Sequence, residues 1–149
     1  MKKIVAVFMV LGMVGCSSTS TTPSTTIACS YSDDSQGFLM NENPVAVVDA
    51  EDQLVSLKIE TQLSTWAEGS EIGYTEYSEA LKTLNMEEMP EEYAGYTVEE
   101  TYDDENQIID IVLEVDYATL AEEAIEALEL PTTGSEIKEL VEASGHVCE

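Results

Sequence analysis

The sequence predicts an α+β domain: an antiparallel sheet of two hairpins, about 4–5 strands in all, with helices packed on one face. Three observations predict it. Leu54–Leu63 and Ile108–Val115 alternate apolar and polar residues over their whole length, the mark of a strand with one wet face. A short acidic turn precedes each, with a further extended run before it, which is hairpin spacing. Apolar residues at helical spacing lie between the hairpins and after them.

An opening strand is expected around Ile27–Tyr31 or Phe38–Asn41. Val45–Asp49, the turn Ala50-Glu51-Asp52-Gln53 and Leu54–Leu63 form the first hairpin. Val55, Leu57, Ile59, Thr61 and Leu63 fall on one side of that last strand, and Ser56, Lys58, Glu60 and Gln62 on the other. Thr75–Asn85 reads as a helix, because Tyr77, Leu81 and Leu84 share a face with Tyr74 just before it. Pro90–Ala94 is a short helical turn, since proline suits a first helical position. Tyr96–Tyr102, a weaker strand, and Ile108–Val115 flank Asp103–Gln107 as the second hairpin. Ile109, Ile111, Leu113 and Val115 point inward there, Asp110 and Glu114 outward. Ala118–Leu128 places Leu120, Ala124 and Leu128 on one stripe. Ser135–Ser144 closes the chain as a helix with Ser135 as N-cap, a face of Ile137, Leu140, Val141 and Ser144, and Gly145 as terminator.

The first 15 residues are an address. Met1-Lys2-Lys3 is followed by the apolar run Ile4–Val14 and then Gly15-Cys16, the order of a secretory signal. That run is shorter than the roughly 20 apolar residues a transmembrane helix needs. Cys16 directly after Met13-Val14-Gly15 resembles the bacterial lipobox, with Met where Leu is usual. The resemblance implies a diacylglyceryl group on the Cys16 sulfur and cleavage ahead of it, and two acyl chains anchor stably. Residues 16–26 form a Ser/Thr-rich tether with no side chain able to enter a core. Residues 27–149 are the single acidic domain. The expected location is the cell membrane, lipid-anchored on its extracytoplasmic face.

Cys29 and Cys148 remain, near the two ends of the domain. An exported domain can hold a disulfide, so the pair is expected to be bonded, with two free thiols as the competing reading. A metal site is not expected. His146 is the chain's one histidine, and a lone Cys-x-His cluster falls short of a zinc quartet.

Charge excludes one large class of partner. The chain carries 31 acidic residues and 5 lysines, no arginine among them. From Cys16 onward three lysines face all 31 carboxylates, a net charge of −28. Such a surface repels phosphate backbones, so nucleic acid is not an expected partner. The same field attracts cations. Asp103-Asp104-Glu105-Asn106 alternates oxygen ligands but lacks the Gly and distal Glu of an EF-hand loop, so it reads as a hairpin turn. Glu87-Glu88 and Glu91-Glu92 read as a solvated helix edge.

The layout resembles the YehR-like bacterial lipoproteins, a family of uncharacterised function. The resemblance rests on the lipobox Cys16, the short early strand at Cys29-Ser30-Tyr31, the hairpin after it, Glu114-Val115-Asp116-Tyr117 leading into a Leu-containing helix, and a last helix ending at Gly145. The chain departs from the family in its extreme acidity and in the Cys29/Cys148 pair. What the resemblance implies is an α+β fold and an extracytoplasmic anchor; it supplies no catalytic residue.

No constellation for nucleophilic catalysis is visible. A nucleophile needs a base and an orienter, and His146 stands three residues from the end as a surface or capping residue. No Gly-rich phosphate loop appears, and no cofactor is expected. Trp66 and the tyrosines 74, 77, 93, 96 and 102 suit core packing or, near a loop, a ligand surface. The expectation is therefore a non-enzymatic binding or interaction module, attached to the membrane through its lipid alone. The alternative is a divalent-cation-responsive acidic surface protein that binds such cations weakly.

Overall fold

In a computed structural model the described residues are 24–68, 73–88 and 93–149. The signal segment, Cys16 and most of the tether lie outside them, as does most of the expected turn at Pro90–Ala94. Six strands and three helices occur in the order β1 (Thr25–Asp33), β2 (Leu39–Val48), β3 (Leu54–Ser64), α1 (Tyr74–Glu88), β4 (Tyr96–Asp103), β5 (Ile108–Asp116), α2 (Glu122–Ala127), α3 (Gly134–Ala143) and β6 (Val147–Cys148). They form one six-stranded sheet, ordered β4-β5-β3-β2-β1-β6, antiparallel throughout. The α+β class stands, with more strands than the expected 4–5.

The additional strands have a physical origin. Both candidate opening strands are real, and Phe38–Asn41 and Val45–Asp49, apart from their end residues Phe38 and Asp49, belong to one continuous strand, β2, that runs through Pro44. Proline cannot donate to a ladder. The β1–β2 pairing accordingly skips Pro44, stepping from Ala28↔Val45 to Tyr31↔Glu42. On its other edge β1 pairs Cys29↔Cys148 and Ser30↔Val147 with β6, where Glu149 N donates to Ala28 O at 2.9 Å. β1 also takes in Thr25 and Thr26, two residues assigned to the tether.

Register sorts the side chains into two faces. Ile27, Ala46, Leu57, Val115 and Tyr96 stand in one cross-strand row, and Asp33, Met40, Leu63, Ile109 and Tyr102 in another. Both rows lie on the inner face, under the helices. The first joins a cluster with Leu120, Ala124 of α2 and Ile137 and Val141 of α3. The second joins Phe38, Trp66, and Tyr74, Tyr77 and Leu81 of α1. One expected inward residue is misplaced: Val55 is 40% exposed, and Leu54 is buried instead. A β-bulge between Val47 and Val48 shifts the register there. An extra residue reverses the alternation.

The connections use their polar side chains locally. Asp49 Oδ1 accepts from the Glu51 and Gln53 amides at 2.9 Å each, closing the first hairpin with Asp52 at φ 64°. Asp103 does the same in the second, accepting from the amides of Glu105 at 3.1 Å and Asn106 at 3.0 Å. Gly95, at φ 88°, lets the chain enter β4: a Cβ there would stand 2.7 Å from Asp116 O and 2.9 Å from Leu120 N.

Two helix expectations need correction. Ala118–Leu128 is helical only from Glu122, because Asp116 captures the preceding residues in a turn through Ala118 N at 3.0 Å and Thr119 Oγ1 at 2.8 Å. The N-cap of α3 is Thr133, not Ser135. Thr133 and Glu136 form a capping box, and Ser135 bonds Asp52 instead. On α3 Ile137 and Val141 are buried, while Leu140 is 55% exposed and Ser144 is exposed as well. Among the described residues no helix is long and apolar enough to cross a membrane.

Candidate functional site

Because the helices share one face, none of the described helices covers the opposite face of the sheet. Alternation along each strand delivers polar side chains to it. Ser32, Asn41, Gln62, Asp110 and Thr101 make one cross-strand row; Asn43, Glu60, Val112 and Glu99 make the next. This outer face is concave, enclosing about 920 Å³ bounded by Ser30, Ser32, Asn41, Asn43, Glu60, Gln62, Asp110 and Val112, with Gly145 and Val147 at the β6 end. Side chains on one strand repeat every ~6.8 Å and neighbouring strands lie ~4.8 Å apart, so the groups form a regular lattice.

The chemistry of that lattice is hydrogen bonding and negative charge. Its amides offer both donors and acceptors, its hydroxyls likewise, and its carboxylates only accept. Gln62 Nε2 donates to Asp110 Oδ1 at 2.9 Å, fixing both side chains. At the neighbouring row Lys58 Nζ lies 2.9 Å from Glu60 and 3.4 Å from Glu114. Hydrogen bonds to these two carboxylates, Glu60 first, raise the Lys58 ammonium above its ordinary range. This lysine is therefore occupied with its own face rather than offered to an anion.

The inner face holds a second polar group, between the two apolar clusters. Tyr31, Glu42, Thr61, Ile111 and Glu100 form the row that separates them. Above it lies His146, 8% exposed and thus not the surface residue expected. Its Nδ1 stands 3.0 Å from Val141 O, which only accepts, so that nitrogen carries a hydrogen. Its Nε2 stands 3.0 Å from Glu42 Oε1, and the ring lies 5.0 Å from that of Tyr31. Thr61 Oγ1 donates to the second Glu42 oxygen at 3.3 Å. The group clamps the C-terminal segment to β2 and β1. Its local sequence carries no signal for this, since Glu42 and His146 are 104 positions apart.

The remaining residues singled out in the sequence divide clearly. Cys29 and Cys148 are joined, with an S–S distance of 2.03 Å across 119 positions. Trp66 and Tyr77 pack with Phe38 and with each other, and Tyr74 packs on Trp66, ring centroids 4.8–5.8 Å apart. Trp66 Nε1 also donates to Gln107 O at 2.8 Å and Tyr74 OH to Asp104 Oδ1 at 2.6 Å, so this box ties α1 and the β3 exit to the second hairpin. The Asp104 bond pushes the Tyr74 hydroxyl up to about 12. Tyr93 and Tyr96 pack on the other cluster. Tyr102 lies beneath Lys82 Nζ at 4.3 Å and donates to Glu100. Burial first, and that bond second, raise its hydroxyl.

Asp103 is held by its turn. Bonds from the Asn106 side chain, at 2.7 Å, and from the Asn106 amide lower its carboxyl below the usual range. Both oxygens thus serve the hairpin, as a turn requires. Among the described residues no group of three or more His, Cys, Asp or Glu side chains is arranged to hold a metal ion. Comparisons with protein-family models, with curated proteins and with solved structures find no match to this chain.

Sequence reasoning placed Glu60, Gln62 and Asp110 on wet faces, but not the outer site as a unit. Asn41 and Asn43 belong to it only once β2 is continuous through Pro44. The available signal was the alternation of Asn41, Asn43 and Val45 against Met40, Glu42 and Pro44.

Proposed function

We propose that this protein is a lipid-anchored extracytoplasmic lipoprotein of the YehR-like kind, a non-enzymatic module that binds through the concave outer face of its sheet. The observation that carries the reading is that outer face: three helices cover one side of the sheet, and a lattice of amides, hydroxyls and carboxylates lines the other. Concave surfaces with convergent polar groups are where ligands bind. The rest is support. Cys16 follows a signal-like segment and precedes a polar tether, and the Cys29–Cys148 bridge suits an oxidising compartment.

The decisive experiment addresses the anchor. Cells expressing the full chain are fed radiolabelled palmitate. Label on the protein, its loss in Cys16→Ser, and release of that variant from the membrane fraction are expected. Protein that stays unlabelled, or that is recovered from cytosol with Met1 retained, refutes the reading.

A further inference from the structure

The same outer face, on the binding-module reading above, also constrains what it binds. We infer that it takes an extended peptide segment bearing lysine or arginine. The first reason is spacing. Asn41 and Asn43 on β2, and Glu60 and Gln62 on β3, repeat along their strands every ~6.8 Å. An extended peptide laid parallel to them has the same two-residue repeat. Primary amides, each with two donors and an acceptor, match the donor and acceptor of every peptide unit. A concavity of about 920 Å³ leaves room for several residues of such a chain.

The second reason is charge. Glu60 and Asp110 line the concavity, and Glu99 and Glu114 extend the same face at its β4 and β5 side. Lys58, whose strand position shares this face, is held by two of these carboxylates. A cationic segment therefore meets unlike charge here, and the −28 field steers it inward. A second copy of this chain is disfavoured by the same field. Tyr31, the aromatic residue beside the concavity, has its ring against His146, so a sugar ring would lack that stacking platform.

The test is calorimetric titration of the full chain, in detergent, with a decapeptide of alternating Lys and Thr. Saturable one-to-one binding is expected, weaker at higher salt. The double variant Glu60→Gln/Asp110→Asn should weaken it about tenfold, the ~1.4 kcal/mol that two ion pairs of ~0.7 kcal/mol each supply. Glu126→Gln/Glu139→Gln removes the same charge from exposed positions of α2 and α3 and should leave it unchanged. Equal losses in the two double variants would overturn the inference, since only the general field would be at work. Equal affinity for spermine would overturn it too, by removing the need for a peptide backbone. So would a neutral chitin oligosaccharide that binds while the peptide does not. Palmitate labelling of the same preparations keeps the two proposals apart: a labelled protein indifferent to the peptide refutes this inference alone.

Discussion

Removing the Cys29–Cys148 bridge should cost the domain most of its margin of stability. The bond closes a loop of 119 positions. In the chain-entropy treatment a loop of that length restrains the unfolded chain by about 16 cal/mol/K, or about 5 kcal/mol at 25 °C. Unfolding entropy runs near 2.1 cal/mol/K per residue, so over the loop each kcal/mol is worth about 4 °C, and a fall in Tm of about 20 °C is expected. The variant is Cys29→Ala/Cys148→Ala, because Cys29 is only 7% exposed and a serine hydroxyl there would confuse the result. Urea unfolding followed by circular dichroism measures it. The mechanism makes a second demand: an uncrosslinked unfolded state is more expanded, so the m-value must rise. A Tm within about 5 °C of the parent, with unchanged m, would show that the sheet and the His146 clamp hold the chain ends without the bridge.

Three further outcomes are expected. His146→Ala should destabilise by about 2–3 kcal/mol, since it leaves Glu42 facing only Thr61; in denaturant melts the loss in His146→Ala/Glu42→Ala should fall short of the sum of the single losses by about 1 kcal/mol. Helix propensity alone says Gly134→Ala should gain about 1 kcal/mol, but a Cβ at that first position of α3 would stand 2.6 Å from both Asp52 Oδ1 and Val48 Cγ1, and Asp52 cannot withdraw while it holds Ser135; thermal melts should show a loss of about 1–3 kcal/mol. Hydrogen bonds from the Thr132 amide, then the Thr132 hydroxyl and the Thr133 amide, hold the Glu136 carboxyl below its ordinary range. A depressed carboxyl stabilises above its unfolded value of about 4.3 and ceases to do so as pH falls through the folded one, so the gap in Tm between the parent and Glu136→Gln should be open at pH 7 and narrow progressively as pH falls below about 4.3.

What the sequence disclosed follows from which interactions are local. The alternation of Ile109, Ile111, Leu113 and Val115 is written in neighbouring residues, and all four pack under the helices as expected. The two acidic turns are legible for the same reason, because Asp49 and Asp103 close them with bonds two to four residues away. Val55 was misread although its pattern is equally plain. The bulge that turns it outward exists only in the pairing of β3 with β2. Ser135 is a sound N-cap by residue type, yet Thr133 takes the role because Asp52, 83 positions away, claims Ser135.

Pro44 and His146 show how the outer face stayed hidden. Proline inside an extended run argues for an edge or a break, and here it does break a ladder, but on one side only. β2 keeps its partner Ile59 on β3, while its ladder with β1 is interrupted at Cys29 and Ser30. On the other edge of β1 the chain end brings Cys148 to Cys29, and His146 just before it to Glu42. β6 pairs with the free edge of β1, bridges the two ends of the domain, and sets Val147 as a rim of the concavity beside Ser30. The Pro44 side chain itself is fully buried. Pro44→Ala restores a donor at the gap in the β1–β2 ladder but truncates a fully buried ring, so protection of the new amide at position 44 against exchange should show the ladder closed, while thermal melts register the lost packing.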